Sequence, residues 1–197
     1  MGAVTNMRSA FYLAETFDQD IGEWNVSAVT TMDSLLRHAK AFNHDIGDWD
    51  VSRVTDMQLC FQGTNAFNQD ISQWRTIAVT NTQSMFKDAE SFNVDIGEWN
   101  TETVENMHAM FMEAPIFNQD VGEWDVAAVT DMHMMFYDAY AFNQDIGEWN
   151  VAVVTDMSNM FNAAKTFNQD IANWDVSAVA DMSGMFYFAD DFNQDIG

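Results

Sequence analysis

The stretch Phe142–Phe161, FNQDIGEWNVAVVTDMSNMF, determines how the chain is organised, because close copies of it recur along the sequence. Its first residue returns every 25 residues, at Phe17, Phe42, Phe67, Phe92, Phe117, Phe142, Phe167 and Phe192. A fixed period of this length is typical of repeat proteins, in which one unit cannot bury its apolar face alone. The sequence therefore predicts stacked repeats rather than a conventional globular fold.

We interpret the chain as one domain, 1–197, in which every repeat follows the same pattern. Seven full repeats are predicted at 17–41, 42–66, 67–91, 92–116, 117–141, 142–166 and 167–191, with partial repeats at 3–16 and 192–197. Neither terminal repeat has the polar cap that stacked repeats normally carry. The chain is therefore expected to be a piece of a longer array and to self-associate end to end.

Residue spacing within a repeat predicts a strand followed by a short helix. Trp24-Asn25-Val26 alternates in polarity, which is the period of a strand. A helical stripe follows it at Val29, Met32, Leu35, Leu36 and Ala39. Thr155-Asp156 before Met157 is typical of a helix N-cap. The predicted fold is a right-handed α/β solenoid of 25-residue strand-plus-helix repeats, similar to a leucine-rich repeat, with a parallel sheet on one concave face.

The aromatic columns are predicted to form the core. Aligned repeats place Trp at one position in all seven copies and Phe at another. Large aromatic side chains bury about 150–250 Å² each, so stacking explains the seven Trp without a ligand. Cys60, the single cysteine, falls in a column of Met and Leu and is expected to be a buried free thiol.

The repeat pattern FNQDIxxWDVSxVTDMSxMFxxA, which Phe167–Ala189 follows except at Ala180, resembles the repeat of BspA-like leucine-rich-repeat surface proteins. The resemblance covers almost the whole chain. It implies a cell-surface or extracellular location and a role in adhesion or recognition. A Val column stands where the leucine-rich repeat usually has its asparagine ladder. Repeat three departs most, at Arg75, Thr76, Ile77 and Thr82, and a local irregularity is expected there.

Charge is distributed unevenly along the chain, whose formal net charge is −24. Residues 1–87 hold six Lys and Arg against ten Asp and Glu, whereas residues 88–197 hold only Lys165 against 21 acidic residues. Such a field repels nucleic acid and anionic membranes and favours basic partners or cations. Acidity that serves solubility alone is the alternative.

An Asp occupies one position in every repeat, from Asp20 to Asp195. Neighbouring carboxylates about 5 Å apart repel by roughly 0.8 kcal/mol even in water, so something must offset the repulsion. We favour backbone N–H bonds within each turn over a ladder of cation sites, because the spacing of a calcium loop is absent. His108 and His133 share a column, but no cysteine joins them, and a zinc site is not expected.

The outward positions beside the Trp column are predicted to form an acidic stripe that binds a partner. The predicted partner-binding residues are Glu98, Asn100, Glu123, Asp125, Glu148, Asn150 and Asp175. No pair of carboxylates, nucleophile or glycine-rich loop stands out from the repeats, so we expect neither an enzyme nor a cofactor or metal site. The predicted function is a protein-interaction or adhesion module. The alternative is a structural spacer or stalk, with or without stabilising divalent cations.

Overall fold

A computed structural model describes residues 3–196, so Met1, Gly2 and Gly197 of the predicted domain lie outside the described residues. The backbone runs in successive coils of 25 residues. Parallel bridges show this period, since each bridge joins one residue to the residue 25 positions later in the chain. The bridges join Asn6, Thr31, Asp56, Asn81, Asn106, Asp131, Asp156 and Asp181 in sequence. We call the units 17–41 to 167–191 coil 1 to coil 7.

The predicted α/β solenoid of the leucine-rich-repeat type is wrong. Residues 3–196 contain no helix, and their only strand-like pairing is the series of single-residue bridges. Trp24–Val26 is not a strand and 29–39 is not a helix. The parallel sheet, the helical wall and the concave sheet face therefore do not exist, and the terms leucine-rich repeat and solenoid do not describe this chain.

Consecutive tight turns replace the predicted helix. Leu35 N–H donates to Met32 O at 3.0 Å, and Ala39 N–H donates to Leu36 O at 2.8 Å. The third residues of these two turns, Ser34 and His38, have φ values of 57° and 59°. A positive φ at that position alone is the geometry of a type II turn. Since each turn directs its first and fourth residues inward, the apolar spacing of three residues arises without a helix.

The predicted N-cap is also a turn. Asp156 Oδ1 accepts the N–H of Ser158 at 2.8 Å, as an Asx turn does. Asp, Asn, Ser and Thr are favoured both in such turns and at helix N-caps, because in both places the side-chain oxygen accepts a nearby backbone N–H. The residue pattern therefore could not distinguish the two structures.

Residues 32–39 and their equivalents in other coils, which we call the double-turn segment, are joined to the next coil by their backbone. The N–H groups of Met32, Ser34, Leu36 and His38 donate to carbonyl oxygens 24 residues later, at 2.9, 2.9, 2.9 and 2.7 Å. The intervening residues bond within their own coil. Buried backbone groups are thus satisfied without a helix or a sheet.

We call residues 42–46 and their equivalents the FNQDI segment. Side chains, rather than the backbone, join this segment to the same segment of the next coil. Asn118 Oδ1 accepts the N–H of Asn143 at 2.9 Å and the Nε2–H of Gln144 at 2.9 Å. The same Asn-to-Asn bond links coils from Asn43 to Asn193. An asparagine ladder therefore exists, but in a different column from that of a leucine-rich repeat.

The core prediction is confirmed. Trp49, Trp74, Trp99, Trp124, Trp149 and Trp174 are 3–8% exposed, and the Phe column from Phe42 to Phe167 is fully buried. Each of these six indole N–H groups donates to the carbonyl 28 residues earlier, as Trp124 does to Ile96 at 3.1 Å. Trp24 is the exception, with 48% exposure. Cys60 is a fully buried free thiol, as predicted, and burial raises its pKa.

Candidate functional site

The seven predicted partner-binding residues are all exposed and lie in two columns on either side of the buried Trp column. Glu98, Glu123 and Glu148 precede a Trp, while Asn100, Asp125, Asn150 and Asp175 follow one. In coils where Trp rings stack, their centroids are 6.2–6.5 Å apart, so equivalent residues of neighbouring coils lie close together. Each column is therefore a continuous line of polar side chains.

The two columns differ in how their side chains are held. Asp125 Oδ1 accepts the N–H of Ala127 at 3.0 Å, and Asp175 Oδ1 accepts the N–H of Ser177 at 3.0 Å. Asn150 makes the same bond to Ala152 at 3.3 Å. The hydroxyl and N–H of Ser177 lower the pKa of Asp175, which keeps its charge. Asp125, Asn150 and Asp175 are thus fixed by their own turns.

The Glu column has no such bonds. Within residues 3–196, Glu98, Glu123 and Glu148 form no ion pair and no hydrogen bond. Their side chains are exposed to solvent. They are the groups on this face that are free to contact a partner.

The Asp column of the FNQDI segment lies next to the Glu column. A groove of about 220 Å³ is lined by Asp20, Gly22, Glu23, Asp45 and Asp48, which brings carboxylates of both columns together. Asp45 Oδ1 accepts the N–H of Gly47 at 2.9 Å, and equivalents occur from Asp20 to Asp170. The structural explanation of the Asp column is confirmed. Across residues 3–196, no group of three or more His, Cys, Asp and Glu side chains is arranged to hold a metal ion.

The departures in repeat three do not disturb the backbone. Trp74 N–H still donates to Ile71 O at 3.1 Å, and Val79 N–H donates to Thr76 O at 2.9 Å. They change the surface instead. A hollow of about 500 Å³ is lined by residues 72–77 together with Glu98 and Asn100. The sequence marked the departures at Arg75, Thr76 and Ile77, but it did not show that these three residues share one hollow. Thr82, the fourth departure, is buried and does not line it.

A second carboxylate column, which the sequence analysis missed, occupies the double-turn segment. Asp88, Glu113 and Asp138 hold equivalent positions in neighbouring coils, each with a positive φ of 55–57°. A hydrogen bond to Asp88, burial and the charge of Asp88 raise the pKa of Glu113 to about 7. Glu113 therefore keeps its proton to a higher pH than an isolated Glu does. The signal that could have found the column is the recurrence of acidic residues 25 apart.

His108 and His133 stack with ring centroids 5.0 Å apart. Burial lowers the pKa of His108, and Asp131 opposes this shift. His133 Nδ1 pairs with the hydroxyl of Ser158. These contacts hold the two rings within the stack, and no third metal ligand joins them within residues 3–196.

Comparison with known proteins identifies the family. The family model described as Mycoplasma protein of unknown function, DUF285, matches residues 1–95 and 112–197, and the chain belongs to this repeat family. The match does not single out the BspA-like proteins that the repeat pattern resembles. No curated protein and no solved structure matches the chain. Residues 3–196 contain no helix that is long and apolar enough to cross a membrane.

Proposed function

We propose that the chain is a non-enzymatic protein-interaction module that binds a basic partner surface through its acidic face. We define the acidic face as the Glu column, the column that follows Trp, and the Asp column of the FNQDI segment in coils 4 to 7. The observation that carries the proposal is the exposed, unpaired state of Glu98, Glu123 and Glu148. Self-repelling charge on a surface favours a partner of opposite sign.

The distribution of charge supports the same proposal. Residues 88–197 hold a single Lys against 21 acidic residues. The aligned Glu column gives this charge a regular spacing along the stack. Electrostatic complementarity of this kind raises association rates and falls with salt, since the Debye length is about 10 Å at 0.1 M ionic strength. Binding should therefore be fast and salt-sensitive.

The biological setting is a further part of the proposal. The resemblance to BspA-like proteins supports a place at the cell surface and a role in adhesion. Membership of the DUF285 family supports a repeat protein but names no partner. End-to-end contact between copies is also proposed, because apolar side chains are exposed in the outermost coils, such as Trp24 at 48% and Phe188 at 62%.

The decisive experiment compares two triple variants with equal charge changes. The face variant carries Glu98→Gln, Glu123→Gln and Glu148→Gln. The control variant carries Glu90→Gln, Glu105→Gln and Asp190→Asn, which are exposed positions in other columns. Binding of a lysine-rich peptide is measured by surface plasmon resonance at about 50 and 200 mM salt. The face variant should bind at least about tenfold more weakly than the control variant, mainly through a slower association rate.

Equal weakening in both variants would show that only net charge matters and would contradict the proposal for this face. A chain that binds no basic peptide in any form would instead support the structural spacer. That alternative has its own observation, since backbone bonds and stacked rings join every pair of neighbouring coils and give the stack stiffness. Removing one 25-residue coil should then change function in proportion to length.

A further inference from the structure

The third coil carries a segment that differs from its equivalents in coils 1, 2, 5, 6 and 7 at five of six positions and from that of coil 4, which also has a Thr at the position of Thr76, at four. Residues 72–77 read SQWRTI, whereas residues 22–27 read GEWNVS and residues 147–152 read GEWNVA. The backbone bonds of this coil match those of its neighbours. The differences are therefore confined to side chains, and a coil with the ordinary sequence would fold in the same way.

All five departures meet in the hollow of about 500 Å³. Its other wall is formed by Glu98 and Asn100 of coil 4. Thr76 Oγ1 donates to Asn100 O at 2.9 Å, which ties the two walls together. Volumes of about 300–1,000 Å³ are typical of small-ligand sites, so the hollow is large enough for a small molecule.

The charges of the hollow are unpaired and of opposite sign. Arg75 forms no ion pair or hydrogen bond within residues 3–196, although its charge helps to lower the pKa of Asp50, after the larger effect of Ser52. Glu98 also has no partner there. Within residues 3–196 no ion pair joins Arg75 to Glu98, and both line the same hollow, so one ligand in it can contact both.

Ile77 supplies the apolar part of the hollow. It is 52% exposed and replaces Ser52 and Ser27, whose N–H groups bond to the Asp or Asn two residues earlier. Arg75 cannot accept such a bond, so neither residue supports the turn as its equivalents do. Both side chains are left to face the hollow.

We propose that the hollow binds a small zwitterion of the α-amino-acid class with an apolar side chain. Arg75 pairs with the carboxylate, Glu98 pairs with the ammonium group, and Ile77 contacts the side chain. A ligand with both charges and no net charge is not repelled by a protein of net charge −24, whereas a simple anion is. The hollow shares Glu98 with the acidic face, whereas Glu123 and Glu148, which also carry the proposed partner binding, do not line it.

The test uses leucine together with two probes that each lack one of its charges. These are 4-methylpentanoate, which has no ammonium group, and 3-methylbutylamine, which has no carboxylate. Binding is followed by NMR of the Ile77 methyl groups and the Arg75 side chain. Leucine should bind with a dissociation constant of about 1 mM, and each single-charge probe should bind at least about tenfold more weakly.

Variants that restore the ordinary repeat keep the fold and remove the site. Arg75→Asn and Ile77→Ser install residues found at the same positions in coil 1, and each should weaken leucine binding about tenfold. Asn25→Asp, which copies Asp50 at a position away from the hollow and outside the acidic face, is the control and should leave leucine binding unchanged. No saturable leucine signal at about 50 mM, or equal binding by Arg75→Asn, would overturn the proposal. Neither result would affect binding of the basic peptide.

Discussion

The FNQDI segment and the double-turn segment hold neighbouring coils together in opposite ways. In the FNQDI segment, side chains make the bonds between coils, as Asn118 does to Asn143 at 2.9 Å. In the double-turn segment, the backbone makes them, as Ser84 N–H does to His108 O at 2.8 Å. Both segments pack the same continuous core.

The difference determines how freely the sequence can vary. A bond made by a side chain requires a suitable acceptor atom, and the ladder position is Asn from Asn43 to Asn193, with Asp18 accepting the same bond from Asn43 N–H at 3.3 Å. A bond made by the backbone accepts any residue. The first positive-φ position of the double turn accordingly holds Ser, Leu, Ala, Met, Asn or Gly in different coils. Substitutions should therefore be costly in the first segment and mild in the second.

The largest expected effect on stability comes from the Trp column, whose indole N–H groups donate to carbonyls of the FNQDI segment. Trp124→Ala removes a buried ring and leaves the Ile96 carbonyl without its indole donor, and it should cost about 3–5 kcal/mol of unfolding free energy. Trp24→Ala, at a position 48% exposed, should cost less than about 1 kcal/mol. Urea denaturation followed by circular dichroism measures both. Equal losses of unfolding free energy in the two variants would show that burial does not determine how much each Trp stabilises the fold.

The asparagine ladder should show the next largest effect. Asn118→Ala leaves the Asn143 N–H without its acceptor, while Gln144 Nε2 keeps its bond to the carbonyl of residue 118, so a loss of about 1–3 kcal/mol is expected. Ser84→Ala is the control in the double-turn segment, because its backbone bond to His108 O is kept, and it should change stability by less than about 0.5 kcal/mol. A similar loss in both variants would remove the distinction between the segments.

The same distinction explains which features could be predicted from sequence. The Trp core, buried Cys60 and the role of the Asp column depend on side-chain chemistry, which the residue type shows directly. The helix prediction over 29–39 was wrong because an apolar spacing of three residues is common to a helix and to consecutive turns.

The backbone conformation of the turns could hardly be predicted from the sequence. Of the sixteen residues with positive φ among residues 3–196, only Gly63 and Gly184 are glycines, so the usual signal of such turns is almost absent there. The hollow at residues 72–77 was visible as a set of departures. Their common location follows from the turns and from the neighbouring coil, neither of which the sequence specified.

Carboxylate columns in the two segments provide a third comparison, with a smaller effect because Glu113 is largely exposed to water. In the FNQDI segment, Asp70 is stabilised by Ser72, whose hydroxyl and N–H lower its pKa. In the double-turn segment, no such donor serves Glu113, and its pKa rises from 4.5 to about 7 next to Asp88, with Asp138 adding to the rise and Lys87 opposing it. The folded state thus holds the Glu113 proton more tightly than the unfolded chain.

The sign of the pH effect follows from this proton. Because the folded pKa is raised, the contribution is complete below pH 4.5 and is lost as the pH rises to about 7. Glu113→Gln should make the free energy of unfolding less dependent on pH in this window. The variant should also be more stable than the original chain at neutral pH. Denaturation midpoints at several pH values measure the change, with Glu123→Gln as the control. An unchanged dependence of stability on pH in Glu113→Gln would contradict the raised pKa of Glu113.

The smallest effect tests whether the double turn carries backbone strain. Ser84 has a φ of 52°, and a left-handed conformation costs a residue other than glycine roughly 1–2 kcal/mol. Ser84→Gly removes that cost but adds about 0.5–1 kcal/mol of chain entropy in the unfolded state, so a net gain of about 0.5 kcal/mol is expected. Gly184 already occupies the equivalent position in coil 7, which shows that glycine fits there. A loss of stability would mean that the bonds to the next coil depend on a stiff residue at this turn, and that the double-turn segment is less tolerant of substitution than the variety of its residues indicates.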